Sequence, residues 1–316
     1  MKYVLAPLAE FTDAPFRRLC YEHGADLTYT EMVSAAGLAH GSSPTCHLME
    51  MLPGEGPVAL QLFGSREEDF EKIFAPGSPL LSRLSSFSEI NLNAGCPMTK
   101  VTREGAGAKL IESPEKIYRL LKCMTERTAL PVTLKTRLGP HPQDTRIFEI
   151  LDAAERAGAK GIVVHARYTS QLHGGPVRLE KLAEVVQRSH IPVTGNGSVV
   201  DAKTATEFAA TGVAAIMIGR AALAHPDIFS QLKSAALPLA PTGFLRPHLD
   251  YILEFREQLA AHFPHDHIPS ADGFAAIKMH THLFRYFNGR PGAAALRMRL
   301  NQIRTLAEIN DIIETC

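Results

Sequence analysis

The chain has 316 residues, 45% of them hydrophobic, and its 33 Lys plus Arg are balanced by 33 Asp plus Glu. That length suits one large α/β domain with a small appendage, or two medium domains, with apolar content for a full core. Zero net charge excludes a polyanion binder driven by overall charge, so any nucleic-acid face must come from local clustering. No apolar run reaches the roughly 18 residues of a membrane helix. The opening residues Met1 to Pro7 lack a signal-peptide core and read as a strand. The five cysteines, Cys20, Cys46, Cys96, Cys123 and Cys316, are odd in number, scattered and without a Cys-x-x-Cys pair. This argues against a disulfide framework or a metal site and for a reducing cytoplasm.

In chain order, Tyr3-Val4-Leu5-Ala6 is the first strand, stopped by Pro7. Asp13, Ala14 and Pro15 then offer a cap and a first-turn proline for a helix carrying Phe16, Leu19 and Cys20. Leu27 to Thr30 is a second strand. The glycines and prolines between Gly37 and Gly56 imply a loop with a short helix at most. Val58 to Gly64 is the third strand, and Ser65 with Glu68 reads as a capping box for the next helix. Glu89 to Ala94 is the fourth strand. Its alternating Ile90 and Leu92 run out at Gly95, Cys96 and Pro97, which places Asn93 and Cys96 where strand opens into loop. Pro114 begins an amphipathic helix with Ile117, Leu120, Leu121 and Met124 on one face.

Val132 to Arg137 is the fifth strand, and Ile147 to Ala154 marks its helix. Gly161 to Arg167 is a continuous apolar run, as strands buried on both faces show. A helix over 177–189, a strand over 191–196, a helix capped by Asp201 and a strand over 214–220 complete the series. Eight strands alternating with helices over about 230 residues are what a (β/α)8 TIM barrel requires. A doubly wound sheet is the alternative, but no G-x-G-x-x-G follows the first strand. The fold class is therefore α/β, a TIM barrel over residues 1–236. Leu237 to Gly243 reads as a linker, and only helical periodicity follows, giving an all-α helical domain over 243–316.

In a barrel, all strand C-termini point to one face. That face collects Gln61, Asn93, Cys96, Lys135, Arg137, His165, Arg167, Asn196 and Arg220. A lysine within an apolar run is rarely buried without an anion to meet. Gly195, Asn196, Gly197 and Ser198, ahead of the helix at Asp201, read as a phosphate site, with Gly219 and Arg220 beside them. Gln61 and Lys135 next to such a phosphate suit a flavin mononucleotide. On physical grounds a sugar phosphate suits the site equally.

These residues resemble the tRNA-dihydrouridine synthase family of flavoenzymes. The matching pieces are Ala6 to Ala9 with Thr12 to Arg17, Gln61 to Gly64, Asn93 to Pro97, Val132 to Gly139, Val164 to Arg167, Gly195 to Gly197 and Met217 to Arg220. They run through nearly the whole chain in the family's order, and Asn-x-Gly-Cys-Pro is its signature. The resemblance implies FMN held by Pro7, Leu8, Ala9, Gln61, Lys135, His165, Asn196, Gly197, Ser198, Gly219 and Arg220. It implies reduction of the C5=C6 bond of a tRNA uridine, with NADPH as reductant, Cys96 as the acid that protonates C5, and Asn93, Arg137 and Arg167 on the substrate. It further implies that the helical tail grips tRNA.

Departures from the family pattern are Leu8 for a methionine, Asn91 for an aspartate, Ser198 for an acid and His173 for a tyrosine. His280-Thr281-His282 stands for a more basic Arg-Lys-His. The tail independently suggests a polyanion: from Lys278 to Arg304 it carries Lys278, Arg285, Arg290, Arg297, Arg299 and Arg304 and no acid, with Phe284, Tyr286 and Phe287 among them. Lys278, Arg285, Arg297 and Arg299 are the expected tRNA contacts, and a monomer is expected. Competing readings are a free-pyrimidine dehydrogenase, a phosphosugar lyase or isomerase with Lys135 as Schiff base, and an idle RNA-binding protein.

Overall fold

A computed structural model describes residues 1–240, 242–287 and 293–315, with side chains except at 242 and 293–297. Nine strands occur among the described residues: β1 Lys2–Leu5, β2 Thr28–Tyr29, β3 Val33–Ser34, β4 Val58–Phe63, β5 Glu89–Ala94, β6 Val132–Arg137, β7 Gly161–His165, β8 Val193–Asn196 and β9 Ala215–Ile218. All pairings are parallel, in the order β1-β9-β8-β7-β6-β5-β4-β2, with β3 adding to β4. The remaining seam is bridged at Val4 and Leu27, where Leu5 N–H donates to the Leu27 carbonyl at 2.9 Å and Asp26 N–H to that of Tyr3 at 2.8 Å. Eight strands thus ring the axis with helices outside, the expected TIM barrel.

The period of two along each strand separates two cores. Leu60, Leu62, Ile90, Leu92, Leu134, Ile162, Val164 and Ile216 join the large cluster that includes helix residues Ile117, Leu120, Ile150 and Leu182. A separate small cluster of Val4, Tyr29, Ala59, Val163 and Met217 belongs to the barrel interior. The polar members of β5, Asn91 and Asn93, are buried with it rather than facing water. An alternation that resembles a half-solvated strand is here apolar towards the helices and polar towards the axis.

The Asp13 cap is present, its carboxylate accepting from Phe16 N–H ahead of helix Ala14–Glu22. The capping box at Ser65 and Glu68 is not. Helix Glu67–Ile73 starts without a side-chain cap, and Ser65 Oγ instead donates to the Glu104 carbonyl on the Cys96 loop. The stretch expected to be a loop with a short helix holds two, Ala35–Ala39 and Ser43–His47.

Beyond helix Ile228–Ser234, helices Thr242–His262, Ala271–Tyr286, Ala293–Gln302 and Leu306–Thr315 follow. They are fastened to the barrel through its first helix. Arg18 pairs with Glu254 at 2.8 Å, Tyr251 Oη donates to Glu22 at 2.6 Å, and Lys278 pairs with Asp13 at 3.0 Å. Phe16 packs against the rings of His248 and His282 in the same seam.

Candidate active site

The loop after β5 takes its shape from Asn93. Its Oδ1 accepts from the N–H groups of Gly95 at 3.1 Å and Cys96 at 3.0 Å, closing the turn that presents the thiol. The other end of that amide starts a buried relay across the barrel interior. Asn93 Nδ2 donates to Gln61 Oε1 at 2.8 Å, Gln61 Nε2 to Asn91 Oδ1 at 2.7 Å, and Asn91 Nδ2 to Thr133 Oγ1 at 2.7 Å. Thr133 Oγ1 donates in turn to Glu89 Oε1 at 2.9 Å, which also accepts from Tyr29 Oη at 2.7 Å. Each link satisfies a group whose desolvation would otherwise cost about 1–3 kcal/mol, so the relay holds Asn93 in one orientation. Farther along the loop, Ala108 N–H donates to the Cys96 carbonyl at 2.9 Å. Gly107 makes this possible: φ is +58°, and a Cβ there would lie 2.6 Å from that carbonyl oxygen.

Above the relay, at the C-terminal ends of the strands, lies a cavity of about 440 Å³. One wall is backbone and apolar, from Ala6, Pro7, Leu8, Ala9 and Met32. Asn93, Cys96, Lys135, Arg137, His165 and His173 form its floor and far side, and Asn196 to Val200 with Gly219 to Ala221 complete it. Among the described residues no aspartate or glutamate lines it. Lys135 Nζ donates to Asn196 Oδ1 at 3.2 Å, and burial, then Arg137, lowers its pKa to about 7. Arg137 is lowered to about 10, chiefly by burial. His165 is held far below its usual range by burial and by Lys135, Arg137 and Arg167, so it is neutral. Burial raises the Cys96 thiol, with Met98 N–H, Lys135 and Arg137 opposing. A concave site with cations and no acid is built for an anion, and its apolar wall suits a flat ring.

Most expected residues converge here: Pro7, Leu8, Ala9, Asn93, Cys96, Lys135, Arg137, His165, Asn196, Gly197, Ser198, Gly219 and Arg220 all line the cavity. Gln61 does not. It is fully buried behind Asn93, both ends of its amide spent within the relay, so it supports the wall instead of forming it. Arg167 also stands behind the lining, donating twice to the Gly175 carbonyl and once to Ser198 Oγ at 2.9 Å. Arg137 lines the cavity while bridging two loops, through Gly95 O at 2.8 Å and Leu172 O at 2.7 Å. The helix after Gly197 is capped by Asp201, whose Oδ1 accepts from Thr204 N–H at 2.8 Å. Gly197 to Val200 line the cavity. Gly197 has φ +141°, and a Cβ would meet Val177 Cγ1 at 2.9 Å.

Of the expected tRNA contacts, Lys278 is turned inward, its ammonium committed to Asp13 and close enough to Glu31 for both carboxylates to raise its pKa against burial. Arg285 is exposed, its guanidinium 5.5 Å from the Phe11 ring. Arg299 is exposed and pairs with Asp311 at 2.6 Å. Arg290 and the Arg297 side chain lie outside the described residues. Sequence reasoning missed Met32, Met98, Val199 and Val200 on the lining. For Met98 the signal was its position two residues after Cys96.

Residues 4–316 match the family model described as dihydrouridine synthase (Dus). The chain is 32% identical to tRNA-dihydrouridine synthase B of Escherichia coli strain K12, over 88% of this chain and 85% of that protein. It is also 32% identical to tRNA-dihydrouridine synthase B of Klebsiella pneumoniae over the same shares. To the probable tRNA-dihydrouridine synthase 1 of Synechocystis it is 31% identical over 98% of this chain and 84% of that protein. With its TIM barrel and this extent of match, the chain belongs to the dihydrouridine synthase family.

Proposed function

We propose that this protein reduces the C5=C6 bond of uridine in tRNA to 5,6-dihydrouridine, using FMN and NADPH. The observation that carries the reading is the cation-lined cavity at the barrel mouth, with no acid among its described lining residues and the Cys96 thiol among them, its pKa raised by burial. In this reading FMN, when bound, supplies a hydride for C6 of the uracil. Lys135 and Arg220, with Gly197 to Val200, would hold the anionic cofactor, and Pro7 to Ala9 would offer the apolar surface for its ring. Cys96 donates its proton to C5 as general acid, a role for which a raised thiol pKa is the right direction. Asn93 sets the thiol's position through the turn, and Arg137 locks the neighbouring loop.

A uracil stacked inside folded RNA cannot reach a cavity of this depth, so the base must be turned out. We assign cofactor and chemistry to residues 1–236 and the tRNA grip to the helical domain 243–316, with Arg285, Arg297 and Arg299 as phosphate contacts. Among the described residues no helix is long and apolar enough to cross a membrane, and a cytoplasmic monomer fits a tRNA-modifying role.

The test is to purify the protein, record its visible spectrum and incubate it with NADPH and unmodified tRNA. Flavin absorbance and NADPH-dependent dihydrouridine are expected. A colourless protein would point to the phosphosugar class, and turnover of free uracil in preference to tRNA would point to a pyrimidine dehydrogenase.

A further inference from the structure

Large apolar side chains are exposed at and beside the mouth of the cavity. Met98 is 61% exposed and Val200 57%, and both line the opening. Leu172, 55% exposed, directly precedes the lining residue His173. Singly scattered apolar residues need no explanation, but two on one opening with a third beside its lining do. They come from the loops after β5, β8 and β7. Three strand steps in an eight-strand ring separate β5 from β8, so Met98 and Val200 stand on nearly opposite sides of the mouth.

None of the three sits on a loose backbone. The Met98 carbonyl accepts from Val101 N–H at 2.9 Å and Thr102 N–H at 3.0 Å. Val200 N–H donates to Thr204 Oγ1 at 3.0 Å. The Leu172 carbonyl accepts from Arg137 Nη1 at 2.7 Å, and Leu172 itself holds φ +51°, a strained value for a branched side chain. The backbone therefore fixes the position from which each side chain extends.

We infer that Met98, Val200 and Leu172 form an apolar rim that packs against the nucleobases flanking the target uridine and stabilises the tRNA with that base turned out. The inference rests on the reading of the substrate as tRNA. Turning one base into the cavity leaves its two neighbours with an uncovered aromatic face each, and apolar side chains wedged at such a step take over part of the lost stacking. Met98, two residues from Cys96, ties this wedge to the proton donor. The phosphate-binding arginines lack this property, because a cation on a phosphate holds the strand without distinguishing a stacked base from an everted one.

The test uses the full-length holoenzyme, wild type and the Met98→Gln/Val200→Thr double variant, whose polar replacements keep the volume of exposed side chains. Unmodified tRNA affinity is measured across a salt series, together with kcat and KM for dihydrouridine formation. The double variant should bind tRNA about tenfold more weakly, with the slope of log affinity against log salt unchanged because no phosphate contact is lost. Met98→Leu alone should leave affinity within twofold of wild type. Affinity of the double variant within twofold of wild type overturns the rim, as does a reduced salt slope. A defect confined to flavin reduction by NADPH also overturns it, since the rim would then serve the nicotinamide cofactor. If wild-type protein makes no dihydrouridine in tRNA at all, the functional reading fails instead, and that outcome is visible before any variant is made.

Discussion

A thiol can act as an acid only while it still holds its proton. Burial raises the Cys96 pKa further than Met98 N–H, Lys135 and Arg137 lower it, so the protonated form dominates at neutral pH. Cys96→Ala should keep flavin and tRNA binding and lose about 10²–10⁴-fold in single-turnover dihydrouridine formation. Lys135 presents the opposite case. Its pKa of about 7 lies below the ordinary 10.5, so between these values the unfolded chain binds more protons than the ligand-free fold. Stability of that form should therefore rise with pH above about 7. An anionic cofactor restores the charge, so FMN binding takes up a proton, and affinity should fall by up to about tenfold per pH unit above 7. Fluorescence titration of apoprotein with FMN from pH 6.5 to 9 measures this, and Lys135→Arg should flatten the dependence. A flat wild-type profile would contradict the assignment. Sequence alone marks Lys135 because a cation in an apolar run needs an anion. It does not show that the Gln61 amide meets Asn91 and Asn93, because a strand-end amide can turn either way and the register of β4 on β5 brings these residues together.

At the scale of elements, β5 and its loop show how a strand delivers chemistry. The inward positions Glu89, Asn91 and Asn93 form the relay, and the outward positions Ile90 and Leu92 anchor the strand to the helical layer. Gly107 then carries the returning loop past the Cys96 carbonyl. Gly107→Ala puts a Cβ 2.6 Å from that oxygen at φ +58°, and the loop must move. Turnover should drop at least tenfold while thermal stability falls by about 1–2 kcal/mol. Equal losses in the catalytic loop and in global stability would show that the glycine serves only folding. The alternation and the glycine-proline stops locate every ring strand to within a few residues. The two-residue β3 and the five-residue helices escape, since no period can be read over so few positions. The capping box at Ser65 fails for a different reason: a tertiary acceptor, the Glu104 carbonyl, takes the hydroxyl.

For the whole molecule, the seam between the first barrel helix and the C-terminal helices decides how the helical domain is held. Lys278 looks like one more cation of a basic stripe when only the chain order is known. The fold commits it to Asp13 in that seam, with Arg18–Glu254 and Tyr251–Glu22 alongside. Lys278→Met would leave the Asp13 carboxylate buried without its partner, at a cost of about 3 kcal/mol, with an unchanged salt slope for tRNA binding. A slope reduced by about one unit with intact stability would return Lys278 to the phosphate contacts. Composition and element count carry the barrel and the helical tail, whereas pairings across more than 200 residues are invisible to them. The most direct measurement of the central claim is a map of dihydrouridine in tRNA from cells lacking this protein, complemented with wild type or Cys96→Ala. Loss at one or a few D-loop uridines, restored by wild type and not by Cys96→Ala, is the predicted result. Dihydrouridine unchanged at every position would contradict it.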